Sequence, residues 1–216
     1  MELNKFIDHT LLKPTALEKD IIKICSEARE YNFASVCVNP CNVKLVKKEL
    51  TGSAVKVCSV IAFPFGTSST EIKVKEAEQA IADGAEEIDM VINVGKLLEE
   101  DIDFTQNEIT QITDVCHKHN VLLKVIVETC YLEEKNIADI CSIIEKAGAD
   151  FIKTSTGYGS GGASVEDINL FKKYLKKDTK IKASGGIRTR QDADTYINLG
   201  CARIGTSGGI SIVTGK

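Results

Sequence analysis

The chain has 216 residues, a length that fits one domain, with compact barrels at the upper end of that range. Lys and Arg total 27 against 31 Asp and Glu, for a net charge of -4, so there is no basic footprint for a nucleic-acid partner. With 43% hydrophobic and 27% charged residues, 16 Gly and 3 Pro, a disordered or fibrous chain is excluded as well.

The N-terminus, Met1-Glu2-Leu3-Asn4-Lys5-Phe6-Ile7-Asp8, carries charge where a secretory signal needs roughly 7–15 uninterrupted apolar residues, which points to a cytoplasmic protein. A weak strand at 7–12 leads to an amphipathic helix at 17–31, a strand at 34–39, a short helix near 42–50 and a strand at 55–62. The longest stretch free of Asp, Glu, Lys and Arg, residues 57–70, contains Pro64 and falls short of the roughly 20 apolar residues of a spanning helix. No membrane association is expected. Helices at 69–83, 104–119, 133–146, 165–176 and 190–199 then alternate with strands at 87–93, 121–129, 151–155, 180–184 and 202–206. Three of the helices run into Gly84, Gly148 and Gly200, where glycine can close a helix in the left-handed conformation. Short helix-to-strand exits of this kind favour a regular α/β architecture. Eight strands make it a single-domain TIM (β/α)8 barrel over residues 1–216 rather than the alternative, a flavodoxin-like open sheet. The eight cysteines form no CxxC pair and sit mostly among apolar neighbours, so they read as buried, reduced thiols.

In such a barrel the chemistry belongs at the C-terminal ends of the strands. The sixth strand reads Phe151-Ile152-Lys153-Thr154-Ser155 and places Lys153 inside an apolar run. Burial disfavours an ammonium and can turn the amine into a nucleophile toward a carbonyl; alternatively, a lysine here snorkels outward or pairs with a carboxylate. The seventh strand puts Lys182 on one face with Ser184, so two lysines sit at neighbouring mouths and their repulsion should lower one pKa while the other amine stays charged. Lys180 reads as a solvated strand start. On the fourth strand Asp89 interrupts apolar residues and needs a cation. It is either a proton carrier or a plain ion-pair anchor. Lys124 and Glu128 share an alternating face of the fifth strand, as a supporting pair or as competitors for the catalytic roles.

Glycine-rich segments follow the seventh and eighth strands, Ser184-Gly185-Gly186-Ile187-Arg188 and Gly205-Thr206-Ser207-Gly208-Gly209. These are the two loops where barrels bind phosphate through backbone N–H groups. Residues 157–162 form a further glycine-rich loop, either a mobile rim or a long turn. His9, His117 and His119 show no ligand spacing, and neither a metal nor another cofactor is expected.

Several motifs together resemble one family. They are Phe-Ile-Lys153-Thr-Ser-Thr-Gly157, Ile181-Lys182-Ala-Ser-Gly-Gly-Ile-Arg188, Glu87-Ile-Asp89-Met-Val-Ile-Asn93, Ser35-Val-Cys37-Val-Asn-Pro40 and Ile7-Asp8-His-Thr10-Leu-Leu12. In that order, from residue 7 to about 209, they are similar to the class I, Schiff-base deoxyribose-phosphate aldolases. The resemblance implies cleavage of 2-deoxy-D-ribose 5-phosphate to glyceraldehyde 3-phosphate and acetaldehyde. Lys153 would form the Schiff base, Lys182 would perturb that amine, and Asp89 would share proton transfer with it. It implies phosphate contacts at Gly186, Arg188 and Ser207 with their neighbours, and a homo-oligomer, a dimer first. Gly208 stands where many members carry a second serine, so one hydroxyl contact would be missing. No tyrosine follows Tyr196, whereas related enzymes use one on a C-terminal tail; proton transfer to the enamine would then be slower or use water. Two rival readings are a phosphosugar isomerase without a covalent adduct and a non-catalytic phosphosugar-binding barrel.

Overall fold

The computed structural model describes residues 2–215. Its strands are β1 (Ile7–Leu11), β2 (Ser35–Val38), β3 (Lys56–Ile61), β4 (Glu87–Val91), β5 (Leu122–Ile126), β6 (Phe151–Lys153), β7 (Lys180–Ser184) and β8 (Arg203–Thr206). Every neighbouring pair is parallel, and β8 closes on β1 to complete an eight-stranded barrel. The helices are α1 (Glu18–Glu30), α2 (Val43–Glu49), α3 (Thr70–Ala82), α4 (Val94–Leu98), α5 (Ile102–Lys118), α6 (Glu134–Ala147), α7 (Val165–Tyr174), α8 (Arg190–Asn198) and α9 (Gly209–Thr214). The closed barrel is the architecture expected from the strand count, and the open sheet is excluded.

Parallel strands covered by helices are buried on both faces, which explains their near-continuous apolar character. Outward side chains such as Ile88, Met90, Leu123, Val125, Ile152 and Ile204 pack beneath the helices in one apolar layer. That layer, rather than the barrel interior, is the hydrophobic core. Gly84, Gly148 and Gly200 all have positive φ, as expected of helix exits that turn at once into a strand. The helices opening beside the site carry side-chain caps: Ser164 accepts from Asp167 N at 3.0 Å and Thr189 from Asp192 N at 3.1 Å. Two short helices, α4 and α9, follow β4 and β8 where the sequence suggested loops.

Of the eight free cysteines, Cys41 is exposed, Cys130 half-buried and the others buried. Residues 157–162 form a packed turn. The Ala163 N–H donates to Ser184 O at 3.0 Å, and a Cβ on Gly162 would lie 2.3 Å from the Gly185 carbonyl oxygen, so only glycine lets this loop settle against the end of β7.

Candidate active site

Because side chains alternate along a strand, placing Ile88 and Met90 in the outer layer turns Asp89 toward the barrel axis. The same parity brings Lys124, Lys153 and Lys182 inward from β5, β6 and β7, and all three amines reach Asp89. Lys153 Nζ donates to Asp89 Oδ2 at 2.7 Å and Lys182 Nζ to the same oxygen at 2.8 Å. Lys124 Nζ donates to Oδ1 at 2.9 Å. Lys182 also lies 2.5 Å from Asp8 Oδ2, and Lys124 2.6 Å from Glu87 Oε2. Arg203 closes the lower end of this network, bonding Asp8 at 2.6 Å and Glu87 at 2.7 and 3.0 Å. Gly205 makes room for the arrangement, since a Cβ there would meet Lys182 Cε at 3.1 Å and Ser184 Cβ at 2.9 Å.

Charges this deep persist only when paired. Burial alone would raise the Asp89 carboxyl, but Lys124, Lys153 and Lys182 outweigh it and hold the acid well below the ordinary carboxylate range. Burial would likewise lower the Lys182 amine, yet Asp8 and Asp89 keep it above the usual lysine value. Lys182 is therefore a stable ammonium beside Lys153. Two thiols flank the carboxylate: Cys58 Sγ donates to Asp89 Oδ1 at 3.2 Å, and Cys37, Cys58 and Asp89 place ligand atoms within 4.8 Å of one another. These three come from separate strands, which sequence spacing does not reveal. Asp89 is already engaged by the three lysines.

Above this network a cavity of about 310 Å³ opens at the C-terminal mouth of the barrel. Lys153 forms its floor, while Gly157, Gly185, Gly186, Arg188, Gly205 and Ser207 line its walls. Gly185 and Gly186 turn consecutively through the left-handed region, with φ of 85° and 79°. Side chains tie the ends of β6 and β7 together, with Thr154 Oγ1 donating to Ser184 O at 3.1 Å and Ser184 Oγ to Ser155 O at 2.6 Å.

This chain matches the model of the DeoC/LacD family aldolases over residues 4–212. The chain belongs to that family. It is 82% identical to the deoxyribose-phosphate aldolase of Treponema denticola over the full length of both chains. It is 50% identical to the deoxyribose-phosphate aldolase of Thermococcus kodakarensis, covering 99% of this chain and 96% of the relative. Among solved structures, the tetrameric deoxyribose phosphate aldolase from Aeropyrum pernix superposes with a TM-score of 0.92 at 31% identity, covering 98% of this chain and 89% of that one. The protein is thus an aldolase, a lyase built on a TIM barrel.

Of the residues singled out from the aldolase's sequence, Lys153, Lys182 and Asp89 converge on one carboxylate oxygen. Gly157, Gly185, Gly186, Arg188, Gly205 and Ser207 surround the cavity above them. Gly208 does not line that cavity; it caps α9, its N–H donating to Thr206 Oγ1 at 2.9 Å. The Lys124–Glu128 pair does not form. β5 ends at Ile126, and Glu128 turns into the left-handed region at φ 54°, where its carboxylate accepts from the Thr156 N–H at 3.2 Å and from the Thr156 hydroxyl. Lys124 joins Asp89 and Glu87 instead. No helix among the described residues is long and apolar enough to cross a membrane.

Proposed function

We propose that this aldolase reversibly cleaves 2-deoxy-D-ribose 5-phosphate to D-glyceraldehyde 3-phosphate and acetaldehyde through a Schiff base on Lys153. The observation that carries the reading is the Lys153 amine at the cavity floor, bonded to Asp89 beside the Lys182 ammonium, with Arg188 and Ser207 on the wall above. The names of the Treponema and Thermococcus relatives support the same substrate.

The Lys153 amine attacks the C1 aldehyde, and loss of water leaves an iminium ion. When the C3 hydroxyl gives up its proton, the C2–C3 bond electrons collapse into the iminium and glyceraldehyde 3-phosphate departs. Protonation of the remaining enamine at its terminal carbon and hydrolysis release acetaldehyde and restore the amine. Asp89, held anionic, receives protons, and Lys182, held as an ammonium, returns them through water; such assistance contributes about 10²–10⁴ in rate. The iminium is the electron sink, so the scheme calls for neither metal nor cofactor. Backbone at Gly157, Gly185, Gly186 and Gly205 approaches the phosphate closely, and Arg188 and Ser207 bind it. A single cytoplasmic barrel domain that assembles as a homo-oligomer accompanies this reading, a dimer by family resemblance, although the Aeropyrum relative is a tetramer.

Incubation with acetaldehyde and borohydride tests the scheme. The reduced adduct is expected on the peptide bearing Lys153. Added mass on Lys182 or Lys124 reverses the assignment, and turnover without a trapped adduct rejects the Schiff base.

A further inference from the structure

The mouth of the cavity carries a cation that this scheme does not use. Lys13, exposed in the segment between β1 and α1, lines the same 310 Å³ cavity as Lys153, Arg188 and Ser207. The charged residues lining that cavity are Lys13, Lys153 and Arg188, with no carboxylate among the described residues there; Lys13 also borders the adjoining groove that holds Asp20 and Glu27. Two surface cations near the mouth have acidic partners, Lys23 at 3.8 Å from Glu27 and Arg190 at 3.0 Å from Asp194. Among the described residues the Lys13 and Arg188 side chains have none; Arg188 meets Asp192 only through its backbone N–H. Two unneutralised cations left facing one cavity are a charge set waiting for an anion.

The backbone holds Lys13 in place. The Leu12 carbonyl oxygen accepts two hydrogen bonds, from Asn39 Nδ2 at 3.2 Å and from the Tyr158 hydroxyl at 3.0 Å. Tyr158 lies in the segment after β6 and packs edge-on against Phe63, with centroids 5.4 Å apart. The segment carrying Lys13 is thereby tied across the mouth to the one that follows Lys153. Pro14 comes next and biases Lys13 toward extended backbone. A flexible side chain is thus projected from a fixed base.

We infer that Lys13 is the second cation of the phosphate seat, acting with Arg188, and that Tyr158 is the positioning residue that holds it there. The inference rests on the phosphosugar reading above. A phosphate monoester carries about -1.5 to -2 charges at neutral pH, so one guanidinium leaves it under-compensated where two cations match it. An ammonium serves phosphate as a point charge and needs no fixed fork geometry.

Calorimetric titration with inorganic phosphate reads the seat directly, and steady-state kinetics on 2-deoxyribose 5-phosphate and 2-deoxyribose reads its use. Lys13→Gln should weaken phosphate binding roughly tenfold, the range expected for a charge-assisted contact, with Lys13→Arg staying within about threefold of the wild type. In Lys13→Gln, kcat/KM should fall more for the phosphorylated sugar than for the free sugar, through KM. Tyr158→Phe removes only the hydroxyl and should raise KM for the phosphorylated sugar by roughly threefold. Unchanged phosphate binding in Lys13→Gln, or equal losses on the two sugars, overturns the inference. A wild type whose phosphate affinity depends on Lys13 but which leaves the phosphosugar intact instead overturns the proposed substrate and upholds the seat.

Discussion

At Asp89 one carboxylate serves three lysine amines and a thiol, and the two lysines on Oδ2 are not equivalent. Lys153 touches the cavity, whereas Lys182 is fully buried and also ion-paired with Asp8. Lys153→Met should abolish both turnover and the borohydride-trapped adduct, because no other amine lines the floor. Lys182→Met should lower kcat by about 10²–10⁴ while some adduct remains trappable. With Lys182 gone, Asp89 Oδ2 serves Lys153 alone and the proton that Lys182 would return is missing, so the adduct should still map to Lys153 while turnover falls. A Lys182→Met variant that turns over like the wild type, or that loses the Lys153 adduct altogether, contradicts this account. Lys153, Lys182 and Asp89 were legible in the sequence because each interrupts an apolar strand. Asp8, Glu87 and Arg203 were not, because a charge at or near a strand's start ordinarily reads as a solvated end, as Lys180 indeed is. Parity was the available signal: Glu87 shares the inward face of Asp89, and Arg203 that of Gly205.

Between elements, a buried ion pair outside the site fastens the strand that carries Asp89. Lys73 on α3 lies 2.7 Å from Glu108 on α5, with both side chains fully buried. Lys73 Nζ also donates to Val91 O at 2.8 Å, and Glu108 Oε2 accepts from the Asn93 N–H at 3.1 Å. Two helices thus hold the C-terminal end of β4. Lys73→Met leaves a buried carboxylate without its cation and should cost about 3–5 kcal/mol in urea unfolding, whereas the double variant Lys73→Met with Glu108→Leu should recover part of that loss. A single-variant cost below about 1 kcal/mol would show that the pair does not secure the strand. The helices themselves were readable from apolar periodicity, but α4 and α9 are too short for a periodic signal to develop. The Lys124–Glu128 expectation failed for a related reason. Alternation holds only while the strand lasts, and β5 stops before Glu128, whose positive φ redirects its side chain.

Across the whole molecule, the layer between helices and barrel is where cysteine chemistry becomes a stability effect. Cys25, Cys116, Cys141 and Cys201 all lie in that apolar layer, and burial pushes each thiol up to about 12. In the unfolded chain a thiol ionises near its ordinary value of about 8.5. Folded thiols therefore keep protons that the unfolded chain gives up, and the stability they confer is complete below about pH 8.5 and lost as pH rises toward 12. Cys58, also raised by burial, adds to this slope, whereas Cys37, lowered beside Cys58, contributes stability already complete above about pH 8.5 and leaves the alkaline slope unchanged. The slope approaches 1.4 kcal/mol per pH unit for each ionising thiol. Urea unfolding under reducing conditions should thus show stability falling steadily between about pH 8.5 and 9.5, where unfolded lysines, with an ordinary value near 10.4, still keep most of their protons. Cys141→Ala makes the measurement specific. It lowers stability at every pH by opening a small cavity, but it should also flatten the alkaline slope by one thiol's share. A wild-type profile that stays level from pH 7.5 to 9.5, or a slope unchanged in Cys141→Ala, would place the origin of alkaline instability outside the buried thiols.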